Sequence, residues 1–386
     1  MLARGAWILS VMALVWAGTA SAQTLPRGQV IEAVTPLGDA TQTYALYLPS
    51  TYSTDRAWPI LIGFHPGARG RAIVDTYRDA AEGYGFIVAG SNTSRNGSWD
   101  VSLRAANAML QDIGQRFAVD GKRIYLTGHS GGSRVALQIA LANKTIAGVI
   151  ASSAGYPDGR PRSSVRFPIF ATAGVADFNY IEMRTLGRAL KTPHRVVIFK
   201  GGHTLPPPDV AMQAIEWLEL QAMASGARTK DGSLVDQFWA TQERAVADAG
   251  ETAATVHLLR AMVDDFRALR DVKAIETRAA ELARRNDIKR ALDRERAEDD
   301  KETQALDEFA RYQAGLTDDT LRVQSLHSLK RFLAELHAQA TAAEESPERA
   351  RARRVLRVVT MGAAEYTQDA EYSRLLQQYR LPGTSR

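Results

Sequence analysis

The chain of 386 residues contains no cysteine. That excludes disulfides, thiolate metal sites, a cysteine nucleophile and lipidation on cysteine. Histidine is scarce, with seven in all, so imidazole chemistry has few candidates. Neither sign of charge dominates. Against 48 basic side chains stand 43 acidic ones, a net charge of +5. That excess permits weak attraction to anionic surfaces but does not signal nucleic-acid binding, and no DNA- or RNA-reading motif is present. The apolar run in the first residues is too short for an ordinary transmembrane span and no other candidate is present, and no internal repeat stands out. What is there is 45% hydrophobic and 24% charged, a composition able to bury a core over a length that suits two domains.

The first residues read as an export signal, residues 1–22. Arg4 supplies a positive start, Ala6 to Gly18 an apolar stretch, and Ala20–Ser21–Ala22 the small residues before a cut ahead of Gln23. The mature chain is expected outside the cytoplasm, in the periplasm or the medium, meeting a membrane only during export. Residues 23–225 then alternate strand-like and helix-like segments. Strands are expected at "QVIEAV", "TYALYLP", Trp58–His65, Gly85–Asn92, "RIYLTGH", Gly148–Gly155, Phe167–Gly174 and His194–Phe199. Helices are expected near Asp100–Phe117, Gly132–Leu141, Tyr180–Leu190 and Val210–Gln221. This alternation predicts an α/β fold, a doubly wound, mostly parallel sheet with helices on both faces.

Strand signals stop after about Ser225, and residues 226–386 read as an all-α C-terminal domain. Leu258, Leu259, Met262, Val263, Phe266 and Leu269 share one helical face; Leu326, Leu329, Phe332, Leu333 and Leu336 share another. Gly315 ends a helix, Asp318 or Asp319 can cap the next, and Ser346–Pro347–Glu348 starts one. The mixed-charge stretch Asp293–Glu302 reads as a solvated helix face or connection.

The chemistry concentrates at "RIYLTGHSGGSRVALQIAL", residues 123–141. A G-x-S-x-G sequence between a strand and a helix can form a nucleophile elbow, a strained turn that lifts the serine hydroxyl above the sheet edge. Gly128 and Gly132 flank Ser130 where strand and helix nearly touch. The helix N-terminus behind it favours developing negative charge. A serine needs a base, and the base an orienting carboxylate. His203 follows a strand on a glycine-rich loop and is the base candidate. His194 opens the preceding strand at the opposite end of the sheet, and His257, His327 and His337 fall in the helical part. Asp177, just past the previous strand, is the acid, with Asp158 the runner-up and Asp209 a poor fit. One oxyanion donor is the Gly131 N–H. The other should come from the loop Leu61–Gly70. Pro66 has no N–H, which points to Gly67, with Ala68 next. Trp99, His65 and His129 are candidate lining residues of a substrate cleft.

Residues 24 to about 222 resemble an α/β-hydrolase of the exported esterase group that includes polyhydroxybutyrate depolymerase-like, feruloyl esterase-like and acetylxylan esterase-like proteins. The matching pieces are "YALYLP", "GFHPG", "FAVDGKRIYLTGHSGGSRVALQIAL", "GVAD" and "GGHTLP". The resemblance implies Ser130 as nucleophile, Asp177 as acid and His203 as base. In two places the chain departs from that pattern: "HP" stands for the usual "HG" of the oxyanion loop, and His129 occupies the second position of the elbow, where it could compete for hydrogen bonds with Ser130. The expected activity is that of a serine esterase on small-molecule or polysaccharide-linked esters, with no cofactor and no metal. Two alternatives stand beside it. One is a serine peptidase of the same fold. The other is a non-catalytic binding or assembly protein that docks a protein partner through its helical part.

Overall fold

The computed structural model describes residues 25–361 and 369–382; the expected signal, residues 1–22, lies outside them. Eight strands among the described residues form one sheet: β1 (Val30–Val34), β2 (Tyr44–Tyr47), β3 (Trp58–Phe64), β4 (Ile87–Ser91), β5 (Val119–His129), β6 (Ile146–Ser152), β7 (Ile169–Gly174) and β8 (His194–Phe199). Their order is β1-β2-β4-β3-β5-β6-β7-β8. β2 runs antiparallel to both β1 and β4, and every pair from β4 onward is parallel.

Both faces of this sheet are covered, which is why β3 is apolar without alternation. On one face, Ile60, Ile62, Leu126 and Val149 pack against α2 (Trp99–Arg116), α3 (Gly131–Ala142) and α4 (Tyr180–Ala189) through Met109, Ile113, Val135, Ile139, Met183 and Leu186. On the other, Leu61, Val88, Tyr125 and Phe170 meet α1 (Gly70–Tyr84) and α5 (Pro208–Ala224) through Ile73, Val74, Tyr77, Ile215 and Leu218. A mostly parallel sheet in this strand order, wrapped on both faces, is the α/β-hydrolase architecture. α1 is an addition to the helices expected from the sequence. Its buried Ile73, Val74, Tyr77, Ala80 and Ala81 fall on one helical face, and Gly85 ends it in the left-handed conformation (φ 72°).

Past residue 226 the described residues form helices only: α6 (Gly232–Asp248), α7 (Ala253–Phe266), α8 (Lys273–Arg284), α9 (Asn286–Gly315), α10 (Arg322–Ala340), α11 (Pro347–Met361) and α12 (Ala370–Gln378). They bury two cores. The first joins α6, α7, α8 and the start of α9 to Leu220 and Met223 at the end of α5. The second joins the remainder of α9 to α10, α11 and α12. Ser346 caps α11 as expected, its Oγ accepting from the Arg349 N–H at 3.1 Å. Asp318 does not cap α10, whose flanking residue is Leu321; its Oδ1 instead accepts from the Thr320 N–H within the preceding turn. The charged run Asp293–Glu302 lies inside α9. It is not uniformly solvated: Asp299 and Glu302 are buried, and both are paired with arginine. Among the described residues no helix is long and apolar enough to cross a membrane.

Candidate active site

β5 delivers the chain to Ser130, which has φ 52° and ψ −123° immediately before α3. A non-glycine residue at positive φ is strained, and the strain is held by what surrounds it. The Ser130 N–H donates to Ser152 O of the adjacent strand at 2.8 Å, and Ser130 O accepts from the Ser133 N–H at 2.9 Å. The neighbouring glycines are required by contact rather than by torsion. A Cβ on Gly128 would run into the Gly132 carbonyl, and one on Gly132 into the Phe64 carbonyl of β3. The elbow is therefore wedged between α3 and the sheet.

Asp177 and His203 lie past the ends of β7 and β8. β7 ends at Gly174, and a Cβ there would strike the carbonyls of Gly201 and Gly202. Its absence lets the acid loop and the histidine loop lace together: the Val175 N–H donates to Phe199 O (2.8 Å) and the Ala176 N–H to Gly201 O (2.9 Å). Asp177 is fully buried, and its Oδ1 lies 2.8 Å from His203 Nδ1. A carboxylate only accepts, so Nδ1 carries the proton and Nε2 keeps the lone pair a general base needs. The Asn179 N–H donates to the same Oδ1 at 2.8 Å, while Oδ2 has no hydrogen-bond partner in its buried position.

Three residues that the sequence reading did not single out complete this arrangement. Phe178 stacks on the His203 ring at 3.9 Å. Asn179 Nδ2 donates to Ser153 O at 2.6 Å, and Ser153, itself at φ 59°, reaches Thr204 O with its hydroxyl at 3.4 Å. Only Phe178 carries a signal in the sequence, as an aromatic directly after the acid.

The other candidates are accounted for separately. Asp158 is paired with Arg162 on the surface at 2.9 Å, and Asp209 lies in the first turn of α5. His194 opens β8 with Nδ1 on Thr192 O, and His257 pairs with Glu295. Among the described residues no group of three or more histidines and acids is placed to hold a metal ion.

Ser130 Oγ and His203 make no hydrogen bond with each other in this structure. His203 nevertheless lies beside the elbow, its ring centroid 4.8 Å from that of His129, the residue before Ser130. Nucleophile–base contacts in unliganded sites are commonly loose and tighten on substrate. His129 does not bond Ser130. It is buried with its Nδ1 unpartnered, and His65 lies on its other side at 5.8 Å. Burial, reinforced by the charges of His203, His65 and Arg69, holds the His129 pKa down to about 3. Burial and Arg69 hold that of His65 down to about 4.

The oxyanion loop corrects one expectation. Gly67 was expected to offer its N–H to the substrate; that N–H donates to His65 Nδ1 at 3.0 Å, and the Ala68 N–H donates to His65 O at 3.1 Å. Both are committed within a turn closed by Ala68 at φ 55°. Gly131 is the first residue of α3, and its N–H has no intrahelical acceptor. Beside Gly131 lies the carboxamide of Asn96 with its Oδ1 nearest, close enough that a Cβ on Gly131 would overlap that oxygen. The Asn96 N–H donates to Pro66 O at 2.8 Å and fixes that segment against the oxyanion loop. Trp99 opens α2 three residues later and is 42% exposed.

No family model matches the chain, and no curated protein matches it in sequence. Solved structures are similar in fold. A hyperthermophilic esterase from the archaeon Pyrobaculum calidifontis superposes with a TM-score of 0.40 at 12% identity, over 51% of this chain and 87% of that one. The esterase domain of a Rhodothermus marinus protein gives 0.38 at 17% identity, over 50% and 97%. A ferulic acid esterase gives 0.39 at 15%, over 48% and 94%. Likeness at this level carries no activity across, so the chemistry rests on the side chains themselves.

Proposed function

We propose that the chain is a serine hydrolase that cleaves carboxylic esters through an acyl-enzyme. The observation that carries this reading is the strained Ser130 elbow at the end of β5 beside a His203 ring whose Nδ1 is held by the buried Asp177. Ser130 Oγ attacks the ester carbonyl as His203 Nε2 takes its proton. The same imidazole then protonates the departing alcohol, and water releases the acid by the reverse path. The negative charge that develops on the carbonyl oxygen is met by the Gly131 N–H and the N-terminus of α3. With the Gly67 N–H committed, the second donor in this reading is Asn96 Nδ2, with the carboxamide turned so that the nitrogen takes the place Oδ1 holds beside Gly131; no described hydrogen bond fixes its orientation. Small-molecule or polysaccharide-linked esters are the proposed substrates. Export to the periplasm or medium is proposed on the N-terminal sequence pattern.

The test is hydrolysis of p-nitrophenyl acetate by the purified protein, beside labelling with a fluorophosphonate probe. Ser130→Ala is expected to abolish labelling and lower kcat by about 10⁴-fold or more. Asn96→Ala is expected to lower kcat by about 10²-fold with little change in KM, the loss typical of one oxyanion donor. Equal rates for the protein and Ser130→Ala would discard the reading. An unlabelled, inactive protein would favour a hydrolase fold used for binding, and amide cleavage exceeding ester cleavage would favour a peptidase.

A further inference from the structure

We infer that Arg354 and Arg357 of α11 are positioning residues for Asp177, so that the helical half completes the active site from outside the hydrolase sheet. This rests on the reading of Asp177 as the catalytic acid. The two residues just before Asp177 are each held through both of their backbone polar groups. Their N–H groups are bound from inside by the histidine loop, Val175 to Phe199 O and Ala176 to Gly201 O. Their carbonyls are bound from outside by α11. Arg354 Nη1 donates to Val175 O at 3.0 Å, and Arg357 Nη1 donates to Ala176 O at 2.9 Å. Side-chain packing gives this stretch little anchorage, because Val175 is 46% exposed and Ala176 is exposed as well. Backbone bonds therefore set where the loop lies, and half of those reaching it across the fold come from α11.

Arg354 is itself fixed, whereas Arg357 is held by no described ion pair and its buried Nε has no partner. Arg354 is buried, bidentate on the buried Glu302 of α9 with its Nε 3.0 Å from both carboxylate oxygens, and its guanidinium lies 4.2 Å over the ring of Tyr180 at the start of α4. Alongside, the buried Asp299 of α9 takes Arg184 of α4 at 3.0 Å and Arg188 at 3.2 Å. Burying a guanidinium and a carboxylate costs several kcal/mol that their attraction only roughly offsets, and an apolar pair would hold two helices together at least as well. What an apolar pair cannot do is donate to a loop carbonyl. The acid loop and the helix that follows it are thus clamped to α9 and α11 by directed bonds, and a displacement of the loop would move Asp177 away from His203 Nδ1.

The experiment uses the full chain with Arg357→Ala, Arg357→Lys and Arg354→Lys. Arg353→Ala serves as control; Arg353 lies on the same helix and bonds Ala340 O, away from the acid loop. Hydrogen–deuterium exchange of peptides spanning residues 170–180 reads the loop whether or not the protein turns over an ester. Arg357→Ala and Arg354→Lys are expected to raise exchange there about tenfold, and Arg353→Ala to leave it unchanged. In the same samples, kcat for p-nitrophenyl acetate and the fluorophosphonate labelling rate are expected to fall together by about 10- to 100-fold, the cost of misplacing a catalytic group by about 1 Å. KM is expected to hold, and Arg357→Lys to recover most of the loss. Unchanged exchange in Arg357→Ala and Arg354→Lys overturns the inference. So does faster exchange with undiminished kcat and labelling. Faster exchange in a protein that neither hydrolyses the ester nor takes the probe sinks the esterase reading and leaves the clamp on the Asp177 loop supported.

Discussion

His129 is the residue at which the site bears its clearest cost. Its ring is packed between His65 and His203, buried, with Nδ1 unpartnered. Its folded pKa, near 3, lies below the ordinary value of 6.5. The unfolded chain therefore binds the proton more readily in the window between the two. Stability from a neutral His129 is complete above about pH 6.5 and is lost as pH falls towards 3, with a total on the order of a few kcal/mol. His129→Leu removes the titration. Urea unfolding followed from pH 7 to pH 4 should show a stability slope shallower than the parent's by close to one proton; identical slopes would show that His129 is not buried neutral. The positions of Ser130, Asp177 and His203 were legible, because each follows a strand, and Asp177 and His203 are brought within 2.8 Å of each other. The contacts of Asn96 and Ser153 were not, because each is made only when distant strand ends meet. Gly67 was misjudged for a related reason: sequence shows that it has an N–H, and only the turn shows that His65 takes it.

At the level of elements, the fold depends on a few places where backbones touch. α1 meets β4 at Gly70 and Gly90, where a Cβ on either would enter the carbonyl of the other. The helix was readable from its buried face, Ile73, Val74, Tyr77, Ala80 and Ala81, but it is not among the helices expected from the sequence. Gly70 and Gly90 serve close approach rather than flexibility. Gly83, in the same helix, faces open space. The two positions should respond with opposite sign. Gly90→Ala pushes α1 off the sheet and is expected to destabilise by about 1–3 kcal/mol or more. Gly83→Ala fills nothing, stiffens the unfolded chain and is expected to stabilise by up to about 1 kcal/mol. Urea midpoints measured under one condition decide both, and a harmless Gly90→Ala would mean that α1 is not seated as described.

Across the whole molecule, the change of sequence grammar near Ser225 marks where strands stop, and the packing continues through it. Leu220 and Met223 of α5 belong to the core of α6 and α7. Beneath them, Arg195 of β8 is 6% exposed and paired with Asp265 of α7, which is 3% exposed; Asp265 also accepts from Trp217 Nε1 of α5 at 2.7 Å and from Gln242 Nε2 of α6 at 3.0 Å. One carboxylate in the helical half thus satisfies a buried guanidinium in the sheet and a buried indole on the helix that covers it. Sequence periodicity located the apolar face of α7 but could not show that Asp265, on the same helix, points into the hydrolase half. Removing that carboxylate leaves Arg195 charged and buried with no anion on it and only Gln242 Oε1 at 3.3 Å as a partner, and breaking a buried ion pair in this way typically costs about 3–5 kcal/mol. Asp265→Ala should therefore lower the stability of the hydrolase half itself, seen as a matching loss in the unfolding of β7 and β8 by hydrogen exchange and in the urea midpoint. A chain ending at Gly226 suffers the same loss together with exposure of Leu220 and Met223, and is expected to be insoluble or unfolded. A soluble 25–226 fragment with the full-length rate on p-nitrophenyl acetate would show that the sheet carries its own stability and that its bonds to α7 and α11 are incidental.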